Sequence, residues 1–194
     1  MTRTTPPLPT RHRFTVQDLE RMVAAGILGP EDRVELVEGE LLDMSPIGWA
    51  HQACVNRLTE FFVALLQGRA IVQPQGPIRL SEHSVPQPDL ALLRPRPDYY
   101  AAGGPTPADV LLLVEVSDTT LPYDRDVKVP LYARHGIPEV WLVDLASEQV
   151  LVFRDPTPAG YRDTRQYRRG DRVSPACCPS LVLAVDALFG GTSP

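Results

Sequence analysis

The spacing of apolar positions changes along the chain, and the changes mark out elements. Residues 49–67 (WAHQACVNRLTEFFVALLQ) set Val55, Leu58, Phe62, Leu65 and Leu66 near a 3.6-residue repeat. That repeat predicts an amphipathic helix closed by Gly68. Residues 14–26 (FTVQDLERMVAAG) predict a shorter helix, with Thr15 as N-cap, Asp18 three residues on and Gly26 at the end. Residues 33–44 (RVELVEGELLDM) hold two short apolar runs around Glu38-Gly39. This predicts a hairpin, because glycine supplies the positive φ of a tight turn.

Strand patterns follow. Residues 70–80 contain IVQPQGPIRL, whose prolines suit an edge or a bulge. PDLALL (88–93) predicts a short strand, and 94–108 a Pro/Gly loop carrying Tyr99 and Tyr100. DVLLLVEVS (109–117) is almost continuously apolar, as a central strand covered on both faces must be. A helix over 124–135, a second buried strand IPEVWLVDL (137–145) and an antiparallel partner EQVLVFR (148–154) come next, with weaker strands and turns over 161–185. There is no internal repeat. The order implies an α/β (α+β) class, with one mixed sheet flanked by helices and preceded by a helix and a hairpin.

Composition narrows this picture. At 194 residues the chain suits one domain over 11–194, with residues 1–10 (MTRTTPPLPT) as a loose arm. Its 21 prolines are about twice the usual ~5% share, which implies many rigid turns. A net charge of −5 excludes a generic basic nucleic-acid coat, though not an enzyme that docks nucleic acid on a local basic strip. Cys54, Cys177 and Cys178 are odd in number, and two are adjacent. They make neither a disulfide framework nor a zinc spacing, so a reduced cytoplasmic compartment is expected. The apolar runs fall short of the ~20 residues of a membrane span, and no secretory signal opens the sequence.

Two acids stand in apolar surroundings. Asp89 opens PDLALL, and Glu115 sits inside LLLVEVS. A carboxylate in a buried strand is costly unless it is paired, hydrogen-bonded or bound to metal. Two such side chains on neighbouring strands can converge on one divalent cation, and an all-oxygen site suits Mg²⁺ or Mn²⁺. The plainer alternative has Asp89 capping a turn after Pro88, and Glu115 meeting an arginine or solvent at the sheet edge. Lys128 follows Glu115 by 13 residues and could steady transition-state charge. It could equally be half of an exposed Asp124–Lys128 pair at i, i+4. Pro130 implies either that the regular helix starts near 129, with Lys128 at its mouth, or that the helix is kinked there.

Pro88-Asp89 together with EVSDTTLPYDRDVKVPLYARHGIPEVWLVD (115–144), and the hairpin RVELVEGELLDMSP (33–46) followed by His51, resemble the Uma-two family of restriction-endonuclease-like proteins. That family lies within the PD-(D/E)XK nuclease superfamily, and the resemblance runs over roughly residues 14–155. It implies the restriction-endonuclease-like fold, with Asp89 and Glu115 as the metal-binding acids. Ser117 stands where the superfamily pattern has a lysine, and the resemblance makes Lys128 its migrated substitute.

Lesser candidates are Glu35, the hairpin acid of the resemblance; His51, which could touch phosphate or water; and Tyr132, one helical turn beyond Lys128. Their plainer readings are a solvent-facing strand residue, a locally bonded helix-start residue and a core aromatic. Asp144 can cap the turn into 145–148. Arg162, Arg165, Arg168, Arg169 and Arg172, with Tyr161 and Tyr167 among them, form either a phosphate-binding patch or a solvated hairpin. The leading functional expectation is a Mg²⁺- or Mn²⁺-dependent endonuclease acting on DNA, working as a homodimer or higher homo-oligomer. The alternatives are an inactive or regulatory nucleic-acid-binding module on the same fold, and a different metal hydrolase using the same carboxylates.

Overall fold

The computed structural model describes residues 11–29 and 31–190, so the expected arm over 1–10 lies outside the described residues. Contacts group the chain into two compact units: one takes in the residues up to Met44 together with Ser81–Val85, the other Ser45–Leu80 and the residues from Pro86 on.

In the first unit, α1 (Val16–Ala24) starts as its sequence predicts. The Thr15 side chain accepts from the Asp18 amide while Asp18 accepts from the Thr15 amide, a closed capping box. The strands β1 (Val34–Val37) and β2 (Glu40–Asp43) pair antiparallel around Glu38 and Gly39, at φ 50° and 84°. Gly39 is required twice. Its φ is positive, and a Cβ there would lie 2.7 Å from the Arg13 Cβ. The segment Ser81–Val85 closes the unit: the Val85 amide donates to Leu36 O at 2.7 Å, and the Glu38 amide to Ser84 Oγ at 2.9 Å.

The second unit is built on six strands in the order β3 (Ile71–Pro74), β4 (Leu90–Leu93), β5 (Val110–Ser117), β6 (Glu139–Asp144), β7 (Gln149–Thr157) and β8 (Gly160–Arg168). Only β5 and β6 run parallel; the other neighbours are antiparallel, which makes the sheet mixed as expected. Pro74 falls on an edge strand, where its missing N–H disturbs least. The expected strand over 70–80 stops at Pro74, and the weak pattern of 161–185 conceals a nine-residue strand, β8. As the outer strand, β8 has no apolar run to announce it.

One face of this sheet is covered by α2 (Trp49–Leu66), which ends at Gln67 and Gly68 in left-handed conformations. Cys54, Leu58, Phe62 and Leu66 meet Leu90, Leu92, Leu112, Val114, Val116, Trp141 and Val143 in the main core. Burying side chains of this size is worth ~1.5–3 kcal/mol each. Phe62 and Trp141, with ring centroids 6.0 Å apart, form its centre. Short pairs β9 (Arg172–Val173) and β10 (Leu183–Ala184), then α5 (Asp186–Phe189), complete the unit. No helix among the described residues is long and apolar enough to cross a membrane.

Candidate active site

Strand alternation does the first part of the placement. Leu112, Val114 and Val116 point into the core under α2, so Leu113, Glu115 and Ser117 take the opposite face. Across the antiparallel pair, Leu90 opposes Val114. One step outward, just before β4, lies Asp89, whose charge is near enough to add to the rise in the Glu115 pKa. The Val116 amide donates to Asp89 Oδ2 at 2.8 Å, which ties the two strand ends together at that point.

The second part comes from the segment after β5. It is helical from Leu121 to Arg134, as α3 (Leu121–Tyr123), a π turn (Asp124–Lys128) and α4 (Val129–Arg134). The π turn accounts for Pro130. Proline lacks the N–H a regular turn would use, and its ring would press on the carbonyl four residues back. A widened turn, closed by the Val129 amide on Asp124 O, relieves both. The regular helix α4 starts at Val129, as one expectation had it, whereas the expectation of an exposed Asp124–Lys128 pair is corrected, since both residues are buried. Lys128, at the N-cap of α4 within the continuous helical segment, is 4% exposed. Its Nζ stands 3.0 Å from Glu115 Oε1, and Tyr132 Oη donates to the same oxygen at 2.5 Å. Tyr132, read as possible packing, is fully buried and also a hydrogen-bond donor.

Ser117 anchors this helix. Its Oγ donates to Asp124 Oδ2 at 2.6 Å, and Thr120 Oγ1 donates to the same oxygen at 2.6 Å. Sequence reasoning marked Ser117 only as a departure and missed the Ser117–Thr120–Asp124 knot. The available signal was the i, i+4 spacing of Thr120 and Asp124 directly after the strand.

Burial pushes the Glu115 carboxyl up to about 8; Lys128 pulls it down, while the Asp124 and Asp89 charges add to the rise. His51, in the first turn of α2, places Nε2 3.0 Å from Asp89 Oδ1. That hydrogen bond raises the imidazole's pKa, against the effect of burial. The expectation that His51 makes only a local helix-start bond is thus corrected. Glu35 stands on β1 in the first unit, opposite Leu42, and is buried rather than solvent-facing. Asp144 caps its turn through the Ser147 amide, as expected.

The donor set suits a hard cation. Asp89 and Glu115 offer only oxygen, and each carboxylate has about four lone-pair directions, more than its protein partners occupy. Among the described residues no group of three or more His, Cys, Asp or Glu is arranged to hold a metal. Two carboxylates completed by water and phosphate oxygens are how Mg²⁺ is commonly held.

The basic segment resolves as a solvated hairpin. Arg162 faces Asp155 at 3.7 Å, Arg165 faces Asp163 at 3.1 Å, and Arg169 is shared by Glu148 and Asp186. Tyr161 Oη donates to Ile137 O at 2.8 Å, and Tyr167 packs against the core.

A family model named Uma2, with the description "Putative restriction endonuclease", matches residues 16–186. The chain belongs to this family. Among solved structures it is similar to a protein from Anabaena variabilis ATCC 29413, titled a putative nuclease belonging to DUF820. The TM-score is 0.69 at 17% identity, over 91% of this chain and 97% of the other, which shows a shared fold. No curated protein matches the sequence. Uma2 membership bears out the resemblance carried by residues 115–144, and the structural likeness bears out the fold class.

Proposed function

We propose that the chain is a divalent-cation-dependent endonuclease that hydrolyses DNA phosphodiester bonds with an activated water. What supports this reading is that the Val116 amide, next in sequence to Glu115, ties Asp89 to the end of β5 at 2.8 Å, while Lys128 Nζ stands 3.0 Å from Glu115. Family membership supports the nuclease class. Asp89 and Glu115 would hold Mg²⁺ or Mn²⁺. Such an ion, when bound, makes water a nucleophile near neutral pH and offsets phosphate charge. Lys128 supplies a point charge where negative charge gathers on the phosphate oxygens, in surroundings dry enough for that charge to count. Tyr132 holds the Glu115 rotamer through its hydroxyl. The Ser117–Asp124 bond sets the helix that carries both.

We read residues 11–194 as one working domain that acts as a homodimer, two centres serving two strands, in the reduced cytoplasm. Purified protein should cut single- or double-stranded DNA with Mg²⁺ or Mn²⁺ and stop with EDTA, while Asp89→Ala should be inactive. Cleavage that persists unchanged in Asp89→Ala would sink this function.

A further inference from the structure

His51 is the third residue of α2, and its side chain is 13% exposed. The N-cap of that helix is Gly48, which has no side chain to meet the first amides. A polar residue in the first turn that served only the helix would turn its hydrogen-bonding atoms toward the unpaired amides there. His51 instead directs Nε2 away from its own helix to Asp89 Oδ1, at 3.0 Å. Its other nitrogen, Nδ1, is buried without a hydrogen-bond partner among the described residues. Leaving a buried ring nitrogen unmet lowers stability, so the arrangement is poorly explained as a device for holding the fold.

Asp89 shows what is gained. Its Oδ1 is met by His51 from α2, and its Oδ2 by the Val116 amide from β5 at 2.8 Å. Two donors from two separate elements fix both the rotamer and the plane of one carboxylate. We propose that His51 is a positioning residue: with the Val116 amide it clamps Asp89 so that the carboxylate's remaining lone pairs are held in one orientation. This rests on the reading that Asp89 and Glu115 take a divalent cation. Residues that orient a ligating carboxylate commonly change metal affinity by ~10–100-fold when removed.

The test is calorimetric titration of the full chain with Mn²⁺ in the absence of DNA, beside thermal unfolding of each variant. His51→Ala should weaken Mn²⁺ binding about 10–100-fold. His51→Gln, whose amide nitrogen reaches roughly where Nε2 stands, should recover most of that affinity. His51→Asn, which is too short, should not recover it, even where both amide variants unfold at the same temperature. In cleavage assays the loss should appear as a higher Mn²⁺ requirement, with kcat at saturating Mn²⁺ changed far less. Wild-type Mn²⁺ affinity in His51→Ala, or equal affinity in the Gln and Asn variants, would overturn the positioning role and leave the cation site standing. No Mn²⁺ binding by the wild-type protein, with Asp89→Asn indistinguishable from it, would remove the cation reading and this inference with it.

Discussion

Two glutamates lie buried on the neighbouring strands β5 and β6, and the chain treats them differently. Glu139, 0% exposed, accepts from the Trp141 indole at 2.8 Å, from Arg154 Nε and Nη2 at 2.9 and 2.6 Å, and from the Ala176 amide at 2.6 Å. Arg154 also donates to Ser174 O, so one forked side chain links β6, β7 and the loop after β9. Both Glu139 oxygens are taken up by fixed donors. Glu115, 2% exposed, meets Lys128 and the Tyr132 hydroxyl at Oε1, and its acidity is shifted far from the ordinary carboxylate range. Its partner charge is a lysine, a compact charge on a flexible stem, rather than a planar fork. A buried acid enclosed by an arginine and amides is a staple. One beside a lysine and a tyrosine hydroxyl, with the Asp89 charge nearby, is the acid that the proposed chemistry uses.

The strongest way to break this comparison is Arg154→Ala. Removing one partner of a buried pair typically costs ~3–5 kcal/mol, and because Arg154 is 24% exposed we expect the lower end. Urea denaturation should show that loss, while kcat measured well below the unfolding midpoint stays near wild type. Comparable loss of kcat in the folded variant would make Glu139 part of the chemistry.

Lys128→Met should behave in the opposite way. Turnover should fall ~10²–10³-fold, the scale for removing one preorganised charge. A smaller stability loss of about 1–3 kcal/mol should accompany it, because Glu115 can take a proton rather than remain a lone buried charge. Since Lys128 is buried, this variant is not expected to be thermally silent, as an exposed lysine's would be.

The pH dependence of stability sharpens the contrast. The Glu115 carboxyl is raised from 4.5 to about 8, so between those values the folded chain holds a proton that the unfolded chain has released. Its contribution therefore makes stability fall as pH rises through that window. His51, raised above 6.5, adds a loss of the same sign as pH passes its folded value. In EDTA, the unfolding midpoint should decline from about pH 5 to pH 8, and Glu115→Gln should flatten that decline, leaving only the part above pH 6.5 that His51 carries. An unchanged profile in Glu115→Gln would place the titration elsewhere.

Tyr132→Phe should have the smallest effect. The ring still fills its buried place, and only the hydroxyl's bond to Glu115 is lost, at about 1–2 kcal/mol. We expect a several-fold drop in kcat with the fold intact by circular dichroism. A drop as large as that of Lys128→Met would make Tyr132 an equal partner in the reaction.

What the sequence determined by itself was local or periodic. The capping box at Thr15, the turn at Glu38-Gly39, the helix from Trp49 and the buried strands all follow from spacing, because each depends on atoms a few residues apart. Strand alternation likewise set Glu115 on the face away from α2, and the oddity of an acid within an apolar strand marked it out. Tertiary structure alone decided who meets those acids. Whether Lys128 is buried depends on a π turn at Pro130 and on a Ser117–Asp124 bond. Whether His51 is local or clamps Asp89 depends on α2 lying beside β4 and β5. Glu139, just as buried, drew no notice because its arginine lies 15 residues away, across a strand pair. A charged group's role is set by the donors that reach it through space, and sequence distance carries little of that information.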